Sequence, residues 1–227
     1  MKKRLLIFDF DGTIVDSGDI VYLINKSIFR REFNINIRRK EFYNLFNDNF
    51  YKNFAKLLYK HKLIGFLGLI KLEFEKKKIQ KYVEKLLIEL EEHKHHFKPF
   101  PNTKNMLENL KKSNIISVVS SDLDNFVKYI IKKYKLNYFD DVLGADFALS
   151  KIKKIKHLIK KYKMPRDKVI YIGDTIGDIV EAKKSGIKCI AITYGFHSKN
   201  HFAKSDIKAD YYANNTKELF DIINHLE

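Results

Sequence analysis

The sequence predicts an α/β fold, a doubly wound parallel sheet with an α-helical domain inserted after the first strand. Three observations carry that prediction. Short, nearly continuous apolar runs end in acids, hydroxyls or glycine, as strands buried on both faces of a parallel sheet do. Between the later runs lie stretches with apolar residues at three- and four-residue spacing, each long enough for a crossover helix. From about Ser17 to His96 the alternation stops, and no convincing strand interrupts that segment.

Arg4-Leu5-Leu6-Ile7-Phe8 reads as the first strand and runs straight into Asp9 and Asp11. The next segment reads as consecutive helices, including Val21 to Phe33, Arg39 to Phe46, Tyr51 to Lys62 and Leu72 to Glu92. A structureless loop of that length has no place inside a compact domain. Residues 17–96 are therefore assigned to a helical cap domain, and residues 1–16 with 97–227 to the α/β core. Pro99 and Pro101 mark the return. Strands then follow at Ile115 to Val119, Val169 to Ile172 and Ile187 to Ile192. Helical spacing covers Thr103 to Lys112, Leu123 to Lys135, Ile152 to Lys163 and Ile176 to Ser185. There is no internal repeat and no low-complexity linker.

Apolar residues make up 45% of the 227 residues and aromatics 14%, enough for a real core. Lys and Arg number 44 against 28 Asp and Glu, a formal charge of +16. The lysines are dispersed, so the excess reads as a general bias that mildly favours anionic substrates, and a nucleic-acid partner is disfavoured. In the basic stretch Lys71 to Lys85 lysines alternate with Leu, Phe, Ile and Val, the pattern of an amphipathic helix. His93, His95 and His96 read as a solvated hinge in a polar junction without a partnering acid cluster. The single cysteine, Cys189, excludes an internal disulfide and a multi-cysteine zinc site, and its apolar neighbours make it a core thiol. The apolar stretch after the N-terminal lysines is too short for a secretory signal, and Ile64 to Ile70 is too short to span a membrane. The expectation is a soluble cytoplasmic protein, monomer or homodimer, without a membrane partner.

In parallel α/β sheets ligands bind beyond the carboxyl ends of the strands. There the sequence puts Asp9 and Asp11, then Ser120 and Ser121, then Asp174 and Asp178 in Ile172-Gly173-Asp174-Thr175-Ile176-Gly177-Asp178. A lysine-rich helix start, Lys151 to Lys154, precedes the last of these strands. Left bare, four carboxylates repel, and burial raises their pKa values. A hard divalent cation with oxygen ligands resolves the conflict, and Mg2+ prefers a few carboxylates with water and phosphate oxygens. A lysine nearby neutralises a phosphate during transfer. The set points to phosphoryl transfer, with Gly12 allowing the tight turn that brings backbone amides to the phosphate.

These residues resemble the haloacid dehalogenase-like (HAD) superfamily, in its phosphatase branch. The resemblance rests on Asp-x-Asp-Gly-Thr at Asp9 to Thr13, Gly-Asp-x-x-x-Asp at Gly173 to Asp178, Ser120 after its apolar strand, and a lysine at a later helix start. It implies Asp9 as the nucleophile forming an aspartyl-phosphate, and Asp11 as the general acid and then base, with a raised pKa. It implies Mg2+ on Asp9, the Asp11 carbonyl and Asp174, with Asp178 close by or bonded through water. Ser120 and a lysine would hold the phosphoryl oxygens, with Ser121 as the substitute for Ser120. Lys151 is best placed for that lysine, although Ile152 stands where the family often has proline. Lys153 and Lys154 would decorate a solvated helix face. The dehalogenating members lack an acid at the position of Asp11, so a halogenated substrate is disfavoured. Phe8-Asp9-Phe10-Asp11-Gly12-Thr13-Ile14-Val15-Asp16-Ser17 and the position of the insert are most similar to phosphoglycolate phosphatase-like members. The implied activity is hydrolysis of a small phosphate monoester, with the cap closing over the cleft and selecting the substrate. A phosphomutase of the β-phosphoglucomutase type and a non-catalytic basic binding protein are the alternatives. In the loop Gly195-Phe196-His197, His197 either touches the substrate or sits on the surface.

Overall fold

A computed structural model describes residues 4–47, 50–64 and 72–226. The apolar run beyond Ile64 and the start of the basic stretch at Lys71 lie outside the described residues. Strand β1 (Leu5–Phe8) is followed by the short β2 (Val15–Asp16). Among the described residues the next helices are α1 (Gly18–Phe33), α2 (Arg39–Tyr43), α3 (Phe50–Lys60) and α4 (Leu72–His93). Then follow β3 (Lys98–Pro99), α5 (Thr103–Lys111), β4 (Ile115–Val119), α6 (Asp124–Lys133) and β5 (Asp141–Leu143). The chain ends with α7 (Lys151–Tyr162), β6 (Val169–Gly173), α8 (Ile176–Ser185), β7 (Lys188–Ile192), α9 (Lys199–Ala203), β8 (Tyr211–Ala213) and α10 (Thr216–His225).

The sheet has six parallel strands in the order β5-β4-β1-β6-β7-β8. The chain builds outward from β1 to β4 and β5, then returns to β1's other side with β6. The carboxyl ends of β1, β4 and β6 therefore flank the point where the winding reverses, which is where such sheets hold ligands. All four residues of β1 are fully buried. Leu5 and Ile7 join one apolar cluster with Tyr171, Cys189, Ala191, Ile155, Leu158 and Ile179, while Leu6 and Phe8 alternate to the opposite face. Helices on both sides of the sheet explain why these strands read as unbroken apolar runs. Cys189 is buried, as its neighbours implied.

The chain divides into two compact units, one of residues Met1–Gly18 and Phe97–Glu227, the other Asp19–His96. The second unit is helical and built on aromatics: Phe29, Phe54 and Tyr82 lie with ring centroids 4.8–5.5 Å apart. A buried polar pair runs through that core. The Tyr82 hydroxyl donates to Asn25 Oδ1, and Asn25 Nδ2 donates to the Val21 carbonyl at 2.7 Å, so neither polar group is stranded. Lys85 and Lys81 pair with Glu32, as an amphipathic α4 requires.

Three expectations change. Strands β5 and β8 are added at the two sheet edges, and β2 pairs antiparallel with β3, the segments just before and just after the insert in the chain. The segment Arg39 to Phe46 divides into α2 and a 3-10 turn at Asn44–Phe46. His93 has acidic neighbours after all, since Glu89, Glu92 and His93 bring ligand atoms within 4.8 Å of one another. Glu89 is engaged by Arg31, and His95 and His96 are exposed, so the group remains a solvated junction.

Candidate active site

The β1 strand delivers Asp9 directly over its end, and the Asp9 amide donates to the Ile172 carbonyl of β6 at 2.8 Å. The chain then turns at once, because the Phe10 carbonyl accepts from the amides of Thr13, Ile14 and Val15. Gly12 takes φ +68° in that turn, and a Cβ there would stand 2.1 Å from Asp174 Oδ2. Its amide donates to the Val15 carbonyl and to Ser17 Oγ. Thr13 reaches the opposite way and donates to Asp174 Oδ1 at 3.2 Å.

Asp174 follows β6 and is fully buried. Its Oδ2 accepts from the Phe196 amide at 2.7 Å, and its carbonyl accepts from the His197 amide at 3.2 Å. Helix α8 then begins with a reciprocal cap. Thr175 Oγ1 accepts from the Asp178 amide, while Asp178 Oδ2 accepts from the Thr175 amide at 3.0 Å and its hydroxyl at 2.7 Å. The same carboxylate accepts from Tyr171 Oη at 3.2 Å and from Lys151 Nζ at 2.8 Å. Capping and site roles are thus combined in one residue.

Lys151 opens α7, whose N-cap is Ser150, and its Nζ bridges Asp178 and Asp9 Oδ2 (2.9 Å). Burial works against the Lys151 ammonium, yet Asp178 and Asp9 hold its pKa well above the ordinary value. Burial likewise opposes the charged Asp178, but Lys151 and the Thr175 hydrogen bonds hold it below the usual carboxylate range. The other acids go the other way. Burial pushes Asp9 up to about 7, with Lys151 opposing and Asp178 adding to the rise. Burial and then the Asp122 carboxyl raise Asp11 well above the ordinary value. Asp174 is raised by burial, Asp178 and Asp9.

Asp9, Asp174 and Asp178, all buried, bring carboxylate oxygens within 4.8 Å of one another. Two of the three carry raised pKa values, so the cluster is short of positive charge even with Lys151 in place. Hard oxygen donors with surplus negative charge fit a divalent cation such as Mg2+. The oxygens of Asp178 are already occupied by Lys151, Tyr171 and Thr175, which suits contact through water better than direct ligation.

Ser120, immediately after β4, is buried, and Ser121 beside it is exposed. Ser120 Oγ donates to Asp122 Oδ2 at 3.1 Å and accepts from the Asp122 amide at 3.0 Å. Lys153 is exposed as expected, whereas Lys154 is fully buried and donates to the Ser120 carbonyl, a correction to its placement on a solvated face. His197 does not lie on the surface. It is fully buried, and its Nδ1 accepts from the Ile176 amide at 3.0 Å, fixing the Phe196 loop against the start of α8. Asp122 was not singled out in the sequence. Its signal was available, an acid two residues after the strand-ending Ser120.

Fold and site together define an α/β protein that gathers acids at the carboxyl edge of a parallel sheet. The chain belongs to the haloacid dehalogenase-like hydrolase family, whose pattern it matches over residues 6–192. A phosphoglycolate phosphatase of Aquifex aeolicus is 28% identical over 204 residues, covering 87% of this chain and 88% of that one. One from Vibrio parahaemolyticus is 26% identical over 129 residues, 55% of this chain and 56% of that one. The match to that relative thus spans little more than half its length. A haloacid dehalogenase-like family hydrolase from Streptococcus pneumoniae superposes with a TM-score of 0.77 at 21% identity, covering 97% of this chain and 98% of that one, a likeness of fold. Among the described residues no helix is long and apolar enough to cross a membrane.

Proposed function

We propose that the protein hydrolyses a small phosphate monoester through Asp9. The observation that carries the reading is the contrast between two acids on one turn. Asp9 faces a buried ammonium, and Asp11 faces another carboxyl, Asp122. Lys151 opposes the rise that burial imposes on Asp9, which keeps a carboxylate available to attack phosphorus near neutral pH, whereas Asp122 adds to the rise at Asp11 and favours a carboxyl that keeps its proton for the leaving oxygen. Asp9 Oδ attacks in line and the P–O ester bond breaks, Asp11 giving its proton to the departing alkoxide. Asp11 then takes a proton from the water that cleaves the acyl phosphate, returning Asp9 and releasing phosphate. Lys151 holds the phosphoryl oxygens, joined by the Ser120 hydroxyl once its proton turns from Asp122 to the phosphate, while Thr13, the Phe196 amide and the Asp178 cap keep the acids in register.

Mg2+ would be held by Asp9, the Asp11 carbonyl and Asp174, with Asp178 behind, and would neutralise charge on the transferring group. The helical unit of residues 19–96 is read as the cap that selects the substrate, and phosphoglycolate-like small esters are the favoured class because of the curated relatives. The experiment is phosphate release from a panel of small esters with Mg2+ or EDTA. Metal-dependent release that falls at least about a thousandfold in Asp9→Asn is expected. No release from any ester would overturn the reading, and isomerised sugar phosphate without free phosphate would replace it with mutase chemistry.

A further inference from the structure

Lys154 is a fully buried lysine, which is rare unless the ammonium has partners and a purpose. It lies one helical turn beyond Lys151 on the inward face of α7, so both ammonium groups point into the same region. Lys151 takes two carboxylates, whereas Lys154 Nζ donates to a backbone group, the Ser120 carbonyl at the end of β4. That carbonyl belongs to the residue whose hydroxyl is held by Asp122 on its other side. The β4 end is thus gripped from two directions, by a cation on the backbone and a carboxyl on the side chain.

We propose that Lys154 is a positioning residue of the phosphoryl site, its buried ammonium clamping the Ser120 carbonyl so that the hydroxyl stays aimed, and adding a second positive charge beneath Lys151. The proposal rests on the phosphatase reading above. An apolar side chain of similar length would fill the same space against Ile155 and β4 but supply neither the clamp nor the charge. The site needs that charge, because Asp9, Asp11, Asp122, Asp174 and Asp178 follow the ends of β1, β4 and β6, and Glu181 acts on Lys154 from α8. Glu181 is itself pushed up to about 7 by burial.

The groups facing Lys154 are Lys151 on its own helix, Asp9 after β1, Asp122 after β4 and Glu181 on α8. Burial and Lys151 lower its pKa to about 8, against the pull of the three carboxylates. The cation is therefore present at neutral pH and lost as pH rises through 8; the neutral amine still donates to the Ser120 carbonyl, but without the charge that strengthens the clamp.

The test measures kcat and KM on para-nitrophenyl phosphate with Mg2+ across pH, for wild type, Lys154→Met, Ser120→Ala and the double variant. Lys154→Met is expected to lower kcat about ten- to a hundredfold, as loss of a supporting contact does, with KM changed less than about threefold. The wild-type alkaline limb, centred near pH 8, is expected to vanish in the variant. The double variant is expected to lose less than the product of the single losses, since both act through one hydroxyl. A wild-type kcat in Lys154→Met, an unchanged alkaline limb, or multiplicative losses would each overturn the proposal. Should Lys154→Met fail to fold, Lys154→Gln takes its place, and the same outcomes for kcat and for the double variant decide. Wild-type protein that turns over nothing would sink the phosphatase reading, and this proposal with it.

Discussion

Gly12 is where backbone and site make their tightest joint demand. Its φ of +68° lies in the left-handed region, and a Cβ would press within 2.1 Å of Asp174 Oδ2 and 2.9 Å of Phe196 Cδ1. Asp174 cannot step aside without releasing Thr13 and the Phe196 amide. Gly12→Ala is therefore expected to cost about 2 kcal/mol or more of stability from strain and clash, read by urea unfolding. It is also expected to lower phosphatase activity at least about tenfold, because a displaced carboxylate misplaces the reacting groups. Unchanged stability and activity would contradict this account of the turn. Asp9, Asp11 and Asp174 were legible in the sequence for a physical reason: acids ending an apolar strand have no packing role there. Lys154 and His197 were not, because their burial is decided by partners far along the chain. Lys154 did leave a trace, falling with Ile155 and Leu158 on the inward stripe of α7, where a solvated lysine does not belong.

At the scale of elements, helix α8 shows how one cap serves both folding and chemistry. Thr175 binds the Asp178 amide, and Asp178 answers with two hydrogen bonds while its other oxygen receives Lys151. Thr175→Ala removes the cap hydroxyl, which is expected to destabilise the protein by about 1 kcal/mol in urea unfolding. It also removes one of the two hydrogen bonds on Asp178 Oδ2, the Thr175 amide keeping the other, so a fall in kcat is expected beside the stability loss; a stability loss with unchanged kcat would separate the cap from the site. The elements that sequence reading found are those with enough residues to show a period, and α8 was placed at Ile176 to Ser185 in both. The edge strands Asp141–Leu143 and Tyr211–Ala213 are three residues each, too short for alternation to register. Their pairing comes from the neighbouring strands β4 and β7, which is tertiary information. The helical insert was legible as an absence of strands, whereas the break of Arg39 to Phe46 into α2 and a 3-10 turn left no period to read.

For the whole molecule, the clustered acids set a stability that depends on pH and on cation in opposite directions. Asp9 has an ordinary pKa of 3.8 and a folded value of about 7, and Asp11 and Asp174 shift the same way. Folding thus favours their protonated forms, a contribution present below the ordinary value and lost as pH rises through the folded one. Asp178 is shifted down, and Glu41 is lowered to about 2 by Lys60 and Arg38 despite the opposing effect of burial. Their contribution is lost instead as pH falls below about 4. The metal-free protein is therefore expected to be most stable near about pH 5 and to weaken toward about pH 8. A divalent cation favours the charged carboxylates, so Mg2+ is expected to stabilise more at the higher pH. At a hundredfold excess over Kd the gain is about 2.7 kcal/mol. For a chain of this size that corresponds to roughly 5–10 °C in Tm. Thermal melts at both pH values, with and without Mg2+, make the check, with Asp174→Asn as the variant lacking one ligand. A Tm indifferent to Mg2+ at the higher pH, or a shift equal at both, would show that the buried acids do not hold the cation. A shift that persists in Asp174→Asn would place the cation elsewhere on the protein.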